Sequence, residues 1–450
     1  MIVISSMIFS DSPLAIRTYF NNLSIYIFLN RRTKDIHVKT YLVGGAVRDQ
    51  LLGYPYHERD WVVVGSTPQA MFDMGYSSVG KDFPVFLHPK TKEEYALARL
   101  ERKTGHGYAG FQFDTSSSVT LEEDLSRRDL TINAIAQTES GDIIDPFSGA
   151  ADIKNKILRH VSTAFAEDPV RILRIARFAA RYHHLGFHIA PETMELMKSM
   201  VTSGEVDHLV AERVWQEFEK ALAEDSPHTF IAVLRECGAL NRLLPELDAL
   251  FGVPQPEKHH PEIDTGIHCL MVLEQATKLS ASKAVRFAAL MHDLGKGLTP
   301  KNEWPRHLAH ETKGLKLLTA VCKRLKVPNT YAELAAITME YHTHCHRAFE
   351  LTEKTLAKLL EKTDAFRRPE RFLQFLICCK ADSRGRTGFE QRNYPQANYL
   401  HCVLRLANAI EVKDLISQGF SGAELGKEIK RARVQNILTL KKEFPTTKNN

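Results

Sequence analysis

The segment HERDWVVVG, residues 57–65, sets two acids one residue apart at the entrance to a β-branched run. In an extended strand alternate side chains share a face, so Glu58 and Asp60 point together while Arg59 points away. Two converging carboxylates offer hard oxygen ligands for magnesium and leave coordination positions open for substrate phosphates. An isolated acid-x-acid is ordinarily a solvated turn; the reading changes because YLVGGAVRDQLLG lies just upstream. There Gly44 and Gly45 end an apolar run and open an amphipathic helix, and glycines let backbone N–H groups approach a triphosphate closely. Arg48 falls one turn into that helix, where its planar fork suits the same phosphates.

Two further constellations lie C-terminal to this one. On a helix starting near Asp168, at 100° per residue, Arg171, Arg174 and Arg177 fall along one stripe flanked by Asp168. Ile172, Leu173, Ile175, Ala176 and Ala179 cover much of the remaining circumference. Such a stripe is ordinarily a solvated or phosphate-facing surface. Nine of the 20 histidines (His259, His260, His268, His292, His307, His310, His342, His344, His346) crowd into one hundred residues. Imidazoles beside a carboxylate suit a hydrolytic transition metal. In LMHDLGKG, His292 and Asp293 stand together at the end of an apolar helix closed by Gly295.

The elements that must hold these groups change character along the chain. Up to about residue 165, short β-rich runs (YLVGG, WVVVG, VFLH, YALARL, DIIDP) alternate with helix-like LEEDLSRRDLTINAIAQ, which predicts a mixed sheet with helices. From Glu167 onward strand signals vanish, and VRILRIARFAARY, AERVWQEFEKALA, KAVRFAALMHDLG and EKTLAKLLEKT predict helices. The expected class is α+β, with an all-α remainder. Proline-rich FGVPQPEKHHPEID, residues 251–264, reads as a linker. A chain of 450 residues with 44% hydrophobic and 25% charged content has room for two to four domains, and its net charge of +5 permits a polyanionic partner without demanding one. Seven cysteines without CxxC pairing read as reduced cytoplasmic thiols. Residues 14–30 are apolar but interrupted by Arg17, Asn21 and Asn22, so no membrane segment is expected.

Strand, GG turn, arginine-bearing helix and acid-x-acid strand together resemble the catalytic head of polymerase-beta-like nucleotidyltransferases, in particular the class II tRNA nucleotidyltransferase and bacterial poly(A) polymerase group. RRDLTINA, residues 127–134, resembles that group's RRDxxxNA motif, and EDPVR, residues 167–171, its EDxxR motif. The His292–Asp293 doublet resembles the HD phosphohydrolase signature, with His268 and Asp382 matching its outer ligands and His310 and His342 its second-metal positions. The resemblance runs from about Lys39 to the C-terminus, and bacterial CCA-adding enzymes with an appended HD domain are the nearest group. It implies a nucleotidyltransferase head over 38–165, a helical neck and body over 166–255, an HD domain over 256–390 and a helical tail over 391–450.

In activity the resemblance implies addition and repair of the 3′-terminal CCA of tRNA from CTP and ATP without a nucleic-acid template. Mg2+ would bind Glu58 and Asp60, with Glu94 either a third acid or a surface strand residue. The group has Asp at both positions; Glu58 offers the same oxygens on a longer arm, and activity is expected to persist. Nucleotide contacts would come from Gly45, Arg48, Arg128, Asp168, Arg171, Arg174 and Arg177. Asp168 would accept from the exocyclic amino group of cytosine or adenine and Arg171 would donate to the ring acceptors, so guanine and uracil would leave buried polar groups unpaired. In the HD domain His268, His292, Asp293 and Asp382 would hold a divalent transition metal (Ni2+, Mn2+ or Co2+), with Lys296 near the substrate phosphate. Expected substrates there are phosphomonoesters, 2′,3′-cyclic phosphates and 2′-nucleotides. A poly(A) polymerase and an HD-type regulatory RNA-binding protein are the alternatives. Monomer and homodimer both stay open, as do phosphate contact and a solvated face for the tail helix LGKEIKRARVQNIL. Residues 1–37 precede the matched region, and a native start near Val38 is expected.

Overall fold

The computed structural model describes residues 38–56, 58–79, 85–103, 111–258 and 260–443. Residues 1–37, on which the expectation of a start near Val38 turns, and His259 lie outside them. The chain forms two compact units, the first built from residues up to 101 with 113–125 and 136–144, the second from 102–112, 126–135 and 145 onward.

Among the described residues the first unit carries a seven-stranded sheet: β1 (Lys39–Val43), β2 (Asp60–Val64), β3 (Ser77–Val79), β4 (Val85–Leu87), β5 (Glu94–Leu97), β6 (Ala136–Gln137) and β7 (Ile143–Ile144), in the order β3-β4-β5-β2-β1-β6-β7. All five β-rich runs read from the sequence are strands. β1 and β2 run antiparallel with Val43 opposite Asp60, and β2 and β5 run parallel with Asp60 opposite Glu94. Val63, Met71, Phe86 and Leu97 form a buried core, with Tyr76 and Tyr95 packed against it. Helix α1 (Gly45–Leu52) follows β1 directly.

The helix expected through LEEDLSRRDLTINAIAQ stops at Ser126; a 3-10 turn, Thr131–Asn133, and β6 take up the rest. Polar side chains break it. The Asp129 carboxylate accepts from the Leu130 amide (2.9 Å) and from Asn133 Nδ2 (2.9 Å), while the Thr131 amide donates to the Arg159 carbonyl (2.9 Å). Those bonds replace the helical ladder.

Among the described residues the second unit is mostly helical, as expected, with a two-residue parallel pairing of Ile157–Leu158 with His188–Ile189, and the two-stranded sheet Leu100–Lys103/Phe111–Asp114 runs into it. The helices that position chemistry are α2 (Val170–Tyr182), α3 (Ala211–Ala223), α4 (Thr265–Leu279), α5 (Lys283–Met291), α6 (His310–Arg324), α7 (Asn329–His346) and α8 (Pro369–Arg384). Trp215 of α3 lies edge-on to Phe287 of α5 and to Tyr331 of α7, with centroids 5.6 and 5.1 Å away. This aromatic contact ties α3 to the HD helices.

The segment 251–264 is no loose linker. Pro254 bridges Asp264, the Gln255 amide donates to the Ile263 carbonyl (2.7 Å), and Thr265 Oγ1 donates to the Val253 carbonyl (2.8 Å). Its prolines fix the turns, but Gln255 and His260 are buried. Every cysteine is free. Among the described residues no helix is long and apolar enough to cross a membrane.

Candidate active sites

In the first unit the turn after β1 depends on Gly44, whose φ of 70° with ψ of −126° is open only to glycine. Gly45 begins α1. The Arg48 side chain is buried and gripped by its neighbour: Nε to Asp49 Oδ1 is 2.7 Å and Nη2 to Asp49 Oδ2 is 2.9 Å. Asp60 opens β2 as an exposed residue, flanked through strand register by Val43 beside the glycine turn and by exposed Glu94. Glu58 is exposed too but precedes the strand, so strand alternation does not fix its direction. Register thus brings Asp60 and Glu94 together and leaves Glu58 on the approach segment.

In the second unit each residue of the arginine stripe has an acceptor of its own. Arg171 is buried and donates from Nη1 to the Ala164 carbonyl (2.8 Å). Arg174 Nε lies 2.7 Å from Asp129 Oδ2, and Arg177 Nε 2.7 Å from Glu217 Oε2. Burial pushes the Asp129 pKa up, but the Arg174 guanidinium and the Asn133 amide outweigh it and hold the carboxyl well below its usual range. Asp168 takes Arg213 Nη1 (3.2 Å) and Nη2 (2.7 Å) on its two oxygens, and Oδ1 also caps α2 at the Val170 amide (3.1 Å). Arg128 Nη1 reaches the Asn133 carbonyl at 3.4 Å. Sequence reasoning missed Asp129, although it stands inside the RRD motif, and missed Arg213 and Glu217, which α3 supplies 40–45 residues downstream.

The HD residues converge from α4, the end of α5, α6, α7 and α8. His268 Nε2 lies 3.2 Å from Asp382 Oδ1 and 3.8 Å from Asp293 Oδ2, and His292 Nε2 lies 3.0 Å from Asp293 Oδ2. His310 Nε2 and His342 Nε2 face Asp293 Oδ1 at 3.4 and 3.7 Å and each other at 3.4 Å. All but His310, at the margin, are well buried. Each Nδ1 is committed to a backbone carbonyl: His268 to Gly385 (2.9 Å), His292 to Ala289 (2.8 Å), His310 to His307 (2.8 Å) and His342 to Met339 (3.0 Å). In the neutral tautomer that carries its proton on Nδ1, each ring turns an Nε2 lone pair toward the others and toward the Asp293 oxygens, although at His292 burial, which lowers the pKa, is outweighed by Asp293 and Asp382, which raise it.

His268 Nε2, His292 Nε2 and both Asp293 oxygens make no hydrogen bond despite full burial, although Lys296 Nζ stands 2.6 Å from Asp293 Oδ2 as an ion pair. Such a set of opposed acceptors fits a divalent cation. Burial raises the pKa values of Asp293 and Asp382, yet His292 and Lys296 around the first, and His346 and His292 around the second, hold both carboxyls well below the usual range. Burial takes the His342 pKa down to about 3, which keeps its imidazole neutral. His346, noted only as one of the crowd, donates to Asp382 Oδ2 at 2.6 Å. Groups of three or more ligand atoms within 4.8 Å of one another occur, among the described residues, at His268/His292/Asp293, His292/His342/Asp382, Asp293/His310/His342 and His260/Glu262/His268.

Three family models match in order along the chain: the poly A polymerase head domain at residues 40–159, the probable RNA and SrmB-binding site of polymerase A at 186–251, and the HD domain at 265–368. The multifunctional CCA protein of Teredinibacter turnerae is 64% identical over 404 residues, which cover 90% of this chain and 98% of the relative. The chain belongs to the multifunctional CCA protein family. The family's protein from Thioalkalivibrio sulfidiphilus is 60% identical over 407 residues, covering 90% and 100%. Among solved structures, a CCA-adding enzyme in complex with ATP matches at a TM-score of 0.62 and 20% identity, covering 93% of this chain and 90% of that one. The complex with CTP matches at 0.60 and 22%, covering 93% and 91%. These likenesses share the fold. As a member of that family the chain is an enzyme, which sets aside a purely regulatory RNA-binding module.

Proposed function

We propose that this chain adds and repairs the 3′-terminal CCA of tRNA from CTP and ATP without a template, and that its HD domain hydrolyses phosphomonoesters and 2′,3′-cyclic phosphates. One observation carries the reading: the chain keeps the glycine turn beside Asp60 and Glu94 together with a complete buried His/Asp donor set, in a sequence 64% identical to a multifunctional CCA protein.

In the head, Glu58 and Asp60 would hold magnesium, which neutralises phosphate charge and favours in-line attack of the RNA 3′-hydroxyl on the nucleotide's α-phosphate. Gly44 and Gly45 bring backbone N–H groups up to the phosphates, and Arg48, pre-set by Asp49, adds a charged donor. Asp168 and Arg171 are the proposed readers of the base edge. Arg213 holds Asp168 and the Ala164 carbonyl holds Arg171, so both enter the site already oriented. Arg128, Arg174 and Arg177 face phosphate and sugar.

In the HD domain His268, His292, Asp293 and Asp382 would hold the first divalent ion, with Ni2+, Mn2+ and Co2+ the candidates, and His310 and His342 with Asp293 a second. A metal there supplies Lewis acidity toward a phosphoryl oxygen and an acidic bound water. Lys296, beside Asp293, is placed to meet the substrate phosphate.

The test is incubation of tRNA lacking its 3′ end with each nucleoside triphosphate and a chelator control. Addition of three nucleotides with CTP and ATP is expected; an unbounded adenosine tail would instead make the chain a poly(A) polymerase. Glu58→Ala is expected to abolish addition, and unchanged turnover removes Glu58 from the metal site.

A further inference from the structure

The segment 251–264 delivers a carboxylate that the family's H…HD…D pattern does not include. Glu262 lies six residues before the metal ligand His268 and its side chain is 2% exposed. Its Oε1 is 3.0 Å from His268 Nδ1 and 2.9 Å from His260 Nδ1, and its Oε2 accepts from the Thr387 amide at 3.4 Å. Glu262 therefore touches the ring of one ligand and the chain just past the helix that carries another, Asp382.

We propose that Glu262 is a positioning residue for the HD metal site, and that its negative charge, acting through the His268 imidazole, tightens the site's hold on a divalent cation. The proposal rests on the HD reading above. His268 Nδ1 already donates to the Gly385 carbonyl, so Glu262 is not needed to complete that hydrogen bond. What it adds is charge. A carboxylate 3.0 Å from Nδ1 locks the proton on that nitrogen, leaves Nε2 as the lone pair toward Asp382 and Asp293, and makes that lone pair a stronger donor. The charges agree: around the four imidazoles stand three buried carboxylates, Asp293, Asp382 and Glu262, against the cations of Lys296 and Arg386. The formal excess is one negative charge, an environment that favours a cation over a further anion.

Glu262→Gln keeps the size and the acceptor facing the two imidazoles, removes the charge, and gives up the long acceptor contact to the Thr387 amide. His260→Gln does the reverse, leaving the charge beside His268 while replacing the ring that Glu262 holds within the loop. The experiment is calorimetric titration of the full chain with Mn2+ and with Ni2+ alone, alongside thermal unfolding in chelator. Glu262→Gln is expected to weaken binding by roughly 10- to 100-fold, the range for loss of a group behind a metal-bound histidine. It should leave the chelated melting temperature near wild type, and His260→Gln should bind within about twofold of wild type. Wild-type affinity in Glu262→Gln overturns the proposal, as does an equal loss in both variants, which would make Glu262 a fastener of the loop. Asp293→Ala separates the two levels: if it loses binding while Glu262→Gln does not, only the positioning role falls; if it binds like wild type, the HD site reading falls first. Should Glu262→Gln not fold, Glu262→Asp, which draws the charge back by one methylene, is expected to weaken binding in the same direction, and wild-type binding there overturns the proposal.

Discussion

Asp129 shows how a motif residue can matter without facing substrate. It is buried, with 6% of its side chain exposed, and it bonds the Leu130 amide, Asn133 and Arg174 at once. Replacing it with Asn keeps the size and most hydrogen bonds but leaves the Arg174 guanidinium without its counter-charge. Removal of one partner from a buried pair costs about 3–5 kcal/mol; because 37% of the Arg174 side chain meets solvent, about 2 kcal/mol is the expectation for Asp129→Asn at neutral pH. The sign with pH follows from the depressed Asp129 pKa. Its stabilisation is complete above about pH 4, the ordinary carboxyl range, and is lost as pH falls toward the folded value. Urea midpoints of wild type and Asp129→Asn should therefore differ clearly at pH 7 and by a smaller margin near pH 3. A gap that stays constant across that range would remove the ion pair as its cause.

The 3-10 turn Leu294–Leu298, which follows the HD doublet, packs on α6 through two glycines. A Cβ on Gly295 would meet the His310 carbonyl oxygen at 1.9 Å and the Gly314 amide at 2.8 Å, both backbone atoms that cannot swing aside. Gly295→Ala is therefore expected to push the turn off α6, costing about 1–3 kcal/mol by overpacking. The shift falls on His310 and on Asp293, so phosphohydrolase activity should drop at least tenfold while nucleotide addition is retained. Paired assays of both activities check this. The sequence reading of Gly295 as the close of the apolar helix is corrected by the structure, in which that helix ends at Met291 and Gly295 lies inside the 3-10 turn; its close approach to Gly314 was not legible, since periodicity does not report which backbone passes near. The strands of the head were legible because β-branched runs between glycines have few alternatives. The stop at Ser126 was hidden because the apolar pattern continues beyond it, and the polar bonds that break the helix come from residues outside it, such as Arg159 and Arg174. Residues 251–264 were misread for a related reason: prolines and charges suggest solvent, while burial of Gln255, His260 and Glu262 depends on groups that arrive with α4 and the turn after α5. Asp168 was found, but its partner Arg213 was not, because the 45 residues between them close only in three dimensions.

At the scale of the whole chain, Gly45, Arg48, Glu58 and Asp60 belong to the first compact unit, whereas Arg128, Asp168, Arg171, Arg174, Arg177 and the full HD set belong to the second. The change from strand-rich to helical sequence near residue 165 was legible. The return of residues 126–135 to the second unit was not, because the bonds that join them to it, Asp129 with Arg174 and the Thr131 amide with the Arg159 carbonyl, form only in three dimensions. This organisation predicts how the two chemistries separate. The contacts described for Asp293 are to His268, His292, Lys296, His310 and His342, all of them on the HD elements. The pair proposed to read the base, Asp168 and Arg171, is instead held by Arg213 and Ala164. Asp293→Ala should accordingly reduce metal-dependent phosphatase turnover by at least about a hundredfold, as expected when a cation ligand is lost. CCA addition should stay within about twofold of wild type, since none of its proposed groups is touched. A chelator should stop both activities, because each draws on its own divalent ion. Parallel assays of 2′,3′-cyclic phosphate hydrolysis and of nucleotide incorporation into end-shortened tRNA, on one preparation of the variant, read the two outcomes together. Loss of both in Asp293→Ala, with the variant folded, would mean that the HD cluster also serves the nucleotidyl transfer and that the two sites are not separate.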